Sequence, residues 1–215
     1  MTSSAPRSDA VRIAVFAKAP VPGAVKTRLA ALLGPDGAAA LHAGLTRHAL
    51  AAAVQSRVGA VELWCAPDES HPFFERCASE FGVTLFRQQG ADLGERMRHA
   101  FEAAHARGAA LLLTGSDCPG LDAAALQAAA RELRSHDAVI APAEDGGYVL
   151  VGLAKPVPRL FDGITWGGSA VMGQTRARLA ETELRWKELD TFWDIDLPAD
   201  YARLQDAGML REVLS

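Results

Sequence analysis

The sequence LLLTGSDCPGL, residues Leu111–Leu121, decides the fold that we predict for this chain. Ala109–Leu113 is an uninterrupted apolar run with Gly108 before it, and Thr114 begins a break into small, turn-forming residues. Such a run is typical of a short strand that is buried on both faces, as in the middle of a parallel sheet. Asp117 therefore lies just past the carboxyl end of a predicted central strand, where open α/β sheets bind ligands. The alternative is that Asp117 only shapes the turn, since aspartate is common in turns.

Strands and helices alternate along the rest of the chain, which indicates an α/β fold. We predict a loose polar tail over residues 1–10 and a single domain over residues 11–215. The predicted strands are Val11–Phe16, Ala60–Cys65, Val83–Arg87, Ala109–Leu113, Ala138–Pro142, Val149–Leu153 and Leu184–Leu189. The main predicted helices run from Val25 to Gly34, over Asp36–Ser56, around His71–Phe81, from Asp92 to Gly108, over Ala123–Arg134, from Ser169 to Glu181, and from the Asp194–Asp200 segment onward.

Composition excludes several classes of protein. A chain of 215 residues is long enough for one α/β core, and 49% of its residues are hydrophobic. The net charge of −4 gives no reason to expect nucleic acid or an anionic membrane as a partner. No apolar run is long enough to span a bilayer, and the first residues lack the apolar core of a signal peptide. Three cysteines without metal-ligand spacing favour a reduced, cytoplasmic protein.

A cationic loop follows the first predicted strand. Lys18, Lys26 and Arg28 surround a predicted strand–loop–helix junction, and Gly23 lets the backbone turn or approach a ligand closely. A helix N-terminus with nearby cations is suited to an anion, so we predict that this loop binds phosphate. The alternative is that these are ordinary solvated cations. The loop is not a P-loop, because no glycine directly precedes Lys26, and the chain has no GxGxxG motif.

Two other loops contain polar groups at predicted strand ends. Gln89 and Gly90 follow a predicted strand, where the glutamine amide and the glycine backbone could form hydrogen bonds with a base or a sugar. The alternative is an ordinary polar loop. The Asp-Gly pair after Glu144 indicates either a backbone that approaches a ligand or a plain hairpin turn. Trp166 is either a stacking platform or a core plug. If the protein is a transferase, these loops would bind its acceptor through Asp145, Gly146, Gly147, Tyr148 and Trp166.

A late acidic segment, Asp194–Asp200, supplies a possible second carboxylate for a metal beside Asp117. Mg²⁺ takes only one or two protein carboxylates alongside substrate phosphates. Two separate acids and a basic loop are therefore what a Mg²⁺–nucleotide site requires, with Mn²⁺ as the alternative metal. The acids would otherwise be helix-start charges that suit the helix dipole.

Six motifs in order resemble one family. They are FAKAPVPGAVKTRL (Phe16–Leu29), DLGERM (Asp92–Met97), GSDCPGL (Gly115–Leu121), EDGGY (Glu144–Tyr148), WGGSAV (Trp166–Val171) and DIDLPADY (Asp194–Tyr201). The chain resembles the small glycosyltransferase-A-like proteins labelled radical-SAM/selenodomain-associated or arsenosugar-biosynthesis transferases, of the nucleotide-diphospho-sugar transferase superfamily. The resemblance spans roughly Ile13–Tyr201. It implies a single GT-A-like, Rossmann-like domain with a mostly parallel sheet of about seven strands and helices on both faces.

By that resemblance, Lys18, Lys26 and Arg28 would face the phosphates of a nucleotide, with Lys26 also counted as catalytic. Asp117 would be the first metal ligand and Asp196 the second, although Leu197 departs from the usual threonine and Asp194 stays an alternative. There is one acid in the strand-end motif, where many glycosyltransferases carry an acid pair, and this departure favours nucleotidyl transfer.

Three functions remain open from the sequence. The first is a Mg²⁺-dependent glycosyltransferase that moves a sugar from a nucleotide-activated donor to a small-molecule acceptor oriented by Asp145. The second is a nucleotidyltransferase that uses a nucleoside triphosphate and releases pyrophosphate. The third is a nucleotide-binding module without turnover. The single strand-end acid favours the second, but the family label outweighs it, so we expect a glycosyltransferase with a nucleotide-sugar donor and keep nucleotidyl transfer as the alternative.

Overall fold

The computed structural model describes residues 10–157 and 159–214, so nine residues of the predicted tail lie outside the described residues. Within these ranges the strands are β1 (Val11–Lys18), β2 (Val61–Ala66), β3 (Thr84–Arg87), β4 (Ala110–Thr114), β5 (Ala138–Pro142), β6 (Tyr148–Leu153) and β7 (Trp186–Glu188). The α-helices are α1 (Ala30–Ser56), α2 (Pro72–Phe81), α3 (Leu93–Ala106), α4 (Ala123–Ser135), α5 (Val171–Ala180), α6 (Pro198–Asp206) and α7 (Leu210–Leu214).

The described strands form one seven-stranded sheet in the order β3-β2-β1-β4-β6-β5-β7. β6 runs antiparallel to both of its neighbours, β4 and β5, and the other pairings are parallel. The predicted mostly parallel α/β sheet of about seven strands is therefore confirmed. The reversal at β6 follows from its short connection to β5, since parallel neighbours would need a long crossover.

Helices cover both faces of the sheet, as predicted. In β4, Leu112 packs on one face with residues of α1, α2 and α4. Leu111 and Leu113 pack on the other face with residues of α3 and α5. Successive side chains of a strand point to opposite faces, so a strand covered on both sides must be apolar at every position. This is the reason that β4 reads as an uninterrupted apolar run.

The first helix differs from its prediction. Lys26 has left-handed backbone angles (φ 47°, ψ 40°) and precedes a short 3₁₀ helix, Thr27–Leu29, so no helix begins at Val25. Gly34, with φ 70° and ψ 166°, breaks the helical geometry within α1, close to the predicted end of the first helix. Pro35 lacks the N–H that would continue the helix, and Gly34 tolerates the positive φ.

The carboxyl-terminal region also differs, because it forms two helices, α6 and α7, where one was predicted. Both pack on α1 through an apolar cluster of its Leu41 and Leu45 with Ile195, Leu204 and Val213. This packing brings the segment 194–196 next to the loop after β1.

Sheet order places two predicted site loops side by side. β1 and β4 are parallel neighbours, with Val15 opposite Thr114 in the register. Lys18 and Asp117 each lie three residues beyond this pair, at the same edge of the sheet. The chain leaves β1 toward β2 on one side, while β4 lies on the other. This divergence creates the crevice in which α/β sheets bind ligands.

Candidate active site

Two adjoining cavities form one groove along the carboxyl ends of β1, β2, β3 and β4. The larger, of about 1020 Å³, is lined by the loops after β1, β2 and β3, including Gln89 and Gly90. The smaller, of about 520 Å³, reaches Asp117 and Asp196. The two share lining residues, among them Lys18 and Gln88. The cationic loop therefore lies between the recess beside β3 and the end of the groove that contains the carboxylates of Asp117 and Asp196.

Lys26 connects three parts of the chain. Its side chain is 5% exposed, its Nζ lies 2.9 Å from Asp117 Oδ2, and it also donates a hydrogen bond to the backbone carbonyl of Ile195. Its left-handed backbone directs the side chain inward from the loop. The ammonium group of Lys26 is thus held by Asp117 and Ile195, and its predicted contact with a nucleotide phosphate stays a prediction.

Asp117 is ionised and held on both of its oxygens. Oδ2 accepts from Lys26 and Oδ1 lies 3.6 Å from His42 Nδ1. Removal from solvent acts to raise the pKa of Asp117, but Lys26 and His42 outweigh it and the pKa lies well below its usual range. About 40% of the side chain stays exposed, so its remaining lone pairs face the groove.

The late acids divide into two roles. Arg28 holds Asp196 through a salt bridge, with both side chains largely exposed. Asp194 has no salt-bridge partner among the described residues, and the backbone N–H of Ile195, beside it, donates to the backbone carbonyl of Asp117 at 2.9 Å. Burial raises the pKa of Asp194 to about 6, and the neighbouring carboxylates of Asp145 and Asp117 act in the same direction. The charges of Asp145 and Asp117 therefore act on Asp194, whereas Asp196 lines the same cavity as Asp117 and is held by Arg28.

Lys18 and Gly23, two predicted site residues of the cationic loop, have different surroundings. Lys18 is exposed and lines both cavities. Gly23 has φ 78° and its added Cβ would meet nothing within 4 Å, so the turn, rather than a close approach, requires glycine there. Within the described residues, neither cavity is lined by Gly23.

The recess beside β3 has a rigid floor. The Gln88 side-chain amide donates to the backbone carbonyls of Trp64, at 2.8 Å, and Ala17, at 3.3 Å. Gly90 has φ 141°, and its added Cβ would lie 2.7 Å from the backbone nitrogen of Arg96. Glycine is thus required where this loop touches the first turn of α3. Arg96 Nε donates to Gly90 O at 3.2 Å and lines both cavities.

The predicted acceptor residues form a packed loop that lines neither cavity of the groove. Asp145 Oδ1 accepts from the Gly147 N–H at 2.8 Å, as in a turn. An added Cβ at Gly146 would lie 2.2 Å from the carbonyl oxygen of Ser169, so the close approach that this glycine permits is to the segment before α5. Asp145 still acts on Asp194 through its charge, whereas Gly146 and Gly147 make structural contacts.

Tyr148 and Trp166 belong to the core beside the site. The Tyr148 hydroxyl lies 3.9 Å from Met97 Sδ, and burial raises the pKa of the phenol. Trp166 packs over Gly94 in the first turn of α3, where an added Cβ would lie 2.7 Å from its Nε1. Tyr148 and Trp166 meet edge to face, with ring centroids 6.4 Å apart. Of the two interpretations of Trp166, the structure favours the one in which its ring fills space in the core.

Sequence reasoning missed two residues of the groove, His42 and Arg96. His42 lies between residues of an apolar helical stripe, and Arg96 lies in a helix noted only for its cap and its apolar face. Only the fold brings them to the groove. For Asp194, the acidic segment was noticed but no local pattern distinguishes it from Asp196.

The chain is similar to known proteins in sequence and in structure. The family described as "Uncharacterized protein conserved in bacteria (DUF2064)" matches residues 49–168. The chain belongs to the DUF2064 family. A curated phosphoenolpyruvate guanylyltransferase from Sphaerobacter thermophilus is 31% identical to this DUF2064 protein over 183 residues, which cover 83% of the chain and 86% of that enzyme.

Solved structures agree with the fold of this DUF2064 protein. A candidate nucleotide-diphospho-sugar transferase from Desulfovibrio desulfuricans G20 has a TM-score of 0.81 and 30% identity, covering 96% of this chain and 98% of that one. Rv0371C from Mycobacterium tuberculosis, solved in complex with manganese, has a TM-score of 0.55 and 16% identity over 92% of this chain and 99% of that one, which shows the fold alone. The DUF2064 protein is a transferase of the nucleotide-diphospho-sugar transferase superfamily, as the resemblance implied.

Among the described residues, no helix combines the length and the apolar content that a membrane span requires. The expected cytoplasmic location stays a prediction.

Proposed function

We propose that this DUF2064 protein is a nucleotidyltransferase that moves a nucleoside monophosphate from a nucleoside triphosphate to a small acidic acceptor. The observation that carries the proposal is the ion pair between Lys26 and Asp117 at the end of the groove. It joins the cationic loop after β1 to the carboxylate after β4, the two groups that a metal-bound triphosphate needs together. In the proposed reaction an acceptor oxygen attacks the α-phosphorus. The bond from the α-phosphorus to the bridging oxygen breaks, and pyrophosphate leaves with the electron pair.

The groove suits a nucleotide along its length. The recess beside Gln89 and Gly90 would take the base and ribose, because it has a fixed floor and backbone groups at its edge. Lys18, Arg28 and Arg96 would face the phosphates, since all three line the smaller cavity. Three cations near developing negative charge would stabilise it without reorganising during the reaction. The earlier sugar-transfer interpretation stays a prediction, and the single strand-end acid favours nucleotidyl transfer over it.

The carboxylate end fits Mg²⁺, with Mn²⁺ as the alternative. Among the described residues, no three His, Cys, Asp or Glu side chains form a ready-made metal site. This agrees with Mg²⁺, which is usually held by one or two carboxylates together with substrate phosphates. Asp117 and Asp194 would hold the ion, because the charge of Asp117 acts on the buried Asp194 carboxyl, whereas Asp196 is held by Arg28. The metal would neutralise charge on the triphosphate when bound.

Each of these residues also has a role of its own. Lys26 keeps Asp117 ionised and in place, and Asp145, whose charge acts on Asp194, would orient the acceptor. Asp196 holds Arg28 by a salt bridge, so we place it in the phosphate loop rather than at the metal. We propose guanosine triphosphate as the first donor and phosphoenolpyruvate as the first acceptor to test, since the curated relative is named for that pair.

The test is a pyrophosphate-release assay with each of the four nucleoside triphosphates, with Mg²⁺ or Mn²⁺, and with phosphoenolpyruvate and other phosphorylated acids. Asp117→Asn should abolish release. Asp206→Asn, an exposed acid on α6, is the matched control and should retain it. A parallel assay follows nucleoside diphosphate release from nucleotide sugars. Turnover only in that second assay would replace our proposal with sugar transfer, and metal-independent binding without turnover would favour a binding module.

A further inference from the structure

His42 is a buried side chain that joins the two loops of the proposed site. It extends from α1 with 5% of the side chain exposed and lines the smaller cavity. Its Nε2 lies 3.0 Å from the backbone carbonyl oxygen of Lys18, at the end of β1. Its Nδ1 lies 3.6 Å from Asp117 Oδ1, after β4. One imidazole therefore touches both the phosphate loop and the carboxylate.

The chemistry of the ring determines which nitrogen faces which group. A carbonyl oxygen only accepts hydrogen bonds, so Nε2 of His42 carries the hydrogen that it donates to Lys18. That bond holds the ring with Nδ1 toward Asp117. Nδ1 is buried and has no hydrogen-bond partner among the described residues. Buried polar atoms are nearly always paired, and 3.6 Å is longer than a hydrogen bond, so this contact is incomplete as it stands. An ionised carboxylate only accepts hydrogen bonds, so Nδ1 holds Oδ1 only when it carries a hydrogen as well.

Asp117 is held between two side chains from different parts of the chain. Lys26 reaches Oδ2, and His42 approaches Oδ1, which also accepts a hydrogen bond from the hydroxyl of the adjacent Ser116 at 3.2 Å. With one of them missing, the carboxylate could rotate about its Cβ–Cγ bond. Partners that orient a metal-binding carboxylate without touching the metal can change metal affinity 10- to 100-fold.

We propose that His42 is a positioning residue. It orients the Asp117 carboxylate for the metal and holds that carboxylate at a fixed position relative to the loop at Lys18. The inference rests on the proposed function, because orientation of Asp117 matters only where Asp117 binds a metal. His42 itself contacts neither the metal nor the reacting phosphorus in this arrangement. It acts through Asp117 and through the Lys18 backbone.

Two substitutions separate the two contacts. Glutamine places its amide near the position of Nε2, so His42→Gln retains the bond to Lys18 and loses the approach to Asp117. Asparagine places its amide near Nδ1, so His42→Asn retains the approach to Asp117 and loses the bond to Lys18. His48, two turns along α1, is the matched control, because its Nε2 lies 3.0 Å from the carbonyl oxygen of Pro119 and it does not contact Asp117.

The experiment titrates the intact protein and each variant with Mn²⁺ alone, by calorimetry, and then measures kcat and KM for the triphosphate. Circular dichroism first establishes a temperature at which every variant is folded. We expect His42→Gln to bind Mn²⁺ roughly 10- to 100-fold more weakly with little change in KM for the nucleotide. His42→Asn should bind Mn²⁺ nearly as the wild type does and should show a raised KM. His48→Gln should match the wild type in both.

Several results would overturn the inference. Wild-type affinity for Mn²⁺ in His42→Gln would remove the positioning role while leaving the proposed function intact. Equal weakening in His42→Gln and His42→Asn, or in His48→Gln, would indicate a merely structural effect of α1. If the wild type itself bound no Mn²⁺ and no nucleotide, the proposed function would fail and this inference would fail with it.

Discussion

Lys26 Nζ lies 2.9 Å from Asp117 Oδ2, although the two residues belong to loops after different strands. The pair is possible because β1 and β4 are parallel neighbours whose carboxyl ends lie at the same edge of the sheet. Lys26 reaches inward from a left-handed backbone position and also donates to the carbonyl of Ile195. One ammonium group therefore joins the first, middle and last parts of the chain at the proposed site.

Lys26→Met should strongly reduce turnover, because it removes a charge next to Asp117 and keeps most of the side-chain volume. Loss of one preorganised electrostatic contact typically costs roughly 100-fold or more in kcat. Steady-state pyrophosphate release measures the change. Lys187→Met, an exposed lysine on β7, is the control and should leave turnover unchanged. Equal turnover in the Lys26 variant and the wild type would contradict a role for this pair in the reaction.

Asp194→Asn and Asp196→Asn should differ in their effect on metal binding. The charges of Asp145 and Asp117 act on Asp194, whereas Asp196 is paired with Arg28. We expect Asp194→Asn to weaken the binding of Mn²⁺, by at least as large a factor as it weakens the binding of the nucleotide. We expect Asp196→Asn to change mainly the KM for the triphosphate. Mn²⁺ titration of both variants checks this. The reverse order would restore Asp196 as the second metal ligand.

Gly94→Ala should destabilise the protein, because its added Cβ would lie 2.7 Å from Trp166 Nε1. Overpacking of this kind costs about 1–3 kcal/mol in the free energy of unfolding. Gly173→Ala is the matched control, since that glycine lies within α5 and an added Cβ there would meet nothing within 4 Å. It should instead stabilise the protein by about 0.5–1 kcal/mol. Urea unfolding of both variants measures whether the free energy of unfolding decreases in Gly94→Ala and increases in Gly173→Ala.

Cys65 and Cys77 should react slowly with iodoacetamide in the folded protein. Burial raises the pKa of the Cys65 thiol to about 12 and that of Cys77 to about 11. Only the thiolate is nucleophilic, so at pH 8 the reactive fractions are roughly 10⁻⁴ and 10⁻³ before access is considered. Mass spectrometry of alkylated peptides measures the rates, with urea-unfolded protein as the control. Equal rates in the folded and unfolded protein would contradict this prediction.

The same two thiols give stability a definite pH dependence. In the unfolded chain these thiols lose their protons near pH 9.0, their ordinary pKa, whereas in the folded protein burial keeps them protonated to higher pH. The unfolded state therefore binds fewer protons above pH 9, and the free energy of unfolding should decrease as pH rises through this range. The contribution is fully present below pH 9. Urea unfolding at pH 8 and pH 10, compared with a Cys65→Ala/Cys77→Ala variant, isolates it.

Much of the fold could be predicted from local pattern. The apolar run at β4 indicated a strand buried on both faces, and Leu111 and Leu112 do pack on opposite faces. Asp92 was predicted to begin a helix, and its side chain accepts from the Glu95 N–H at 2.8 Å. These features depend on near neighbours in the chain, where periodicity, turn residues and caps have direct physical effects.

The sequence by itself determined the alternation of strands and helices, the strand-end position of Asp117 and the cationic loop before α1. Only the tertiary structure decided that Lys26 binds Asp117 and Ile195, that β6 reverses its direction, and that Arg28 pairs with Asp196. Only the packing of α1 against the sheet brings His42 to the site. The physical reason is distance along the chain: Lys26 and Ile195 are 169 residues apart. Contacts of that separation are set by the register of the sheet and by helix packing, which no short stretch of sequence encodes.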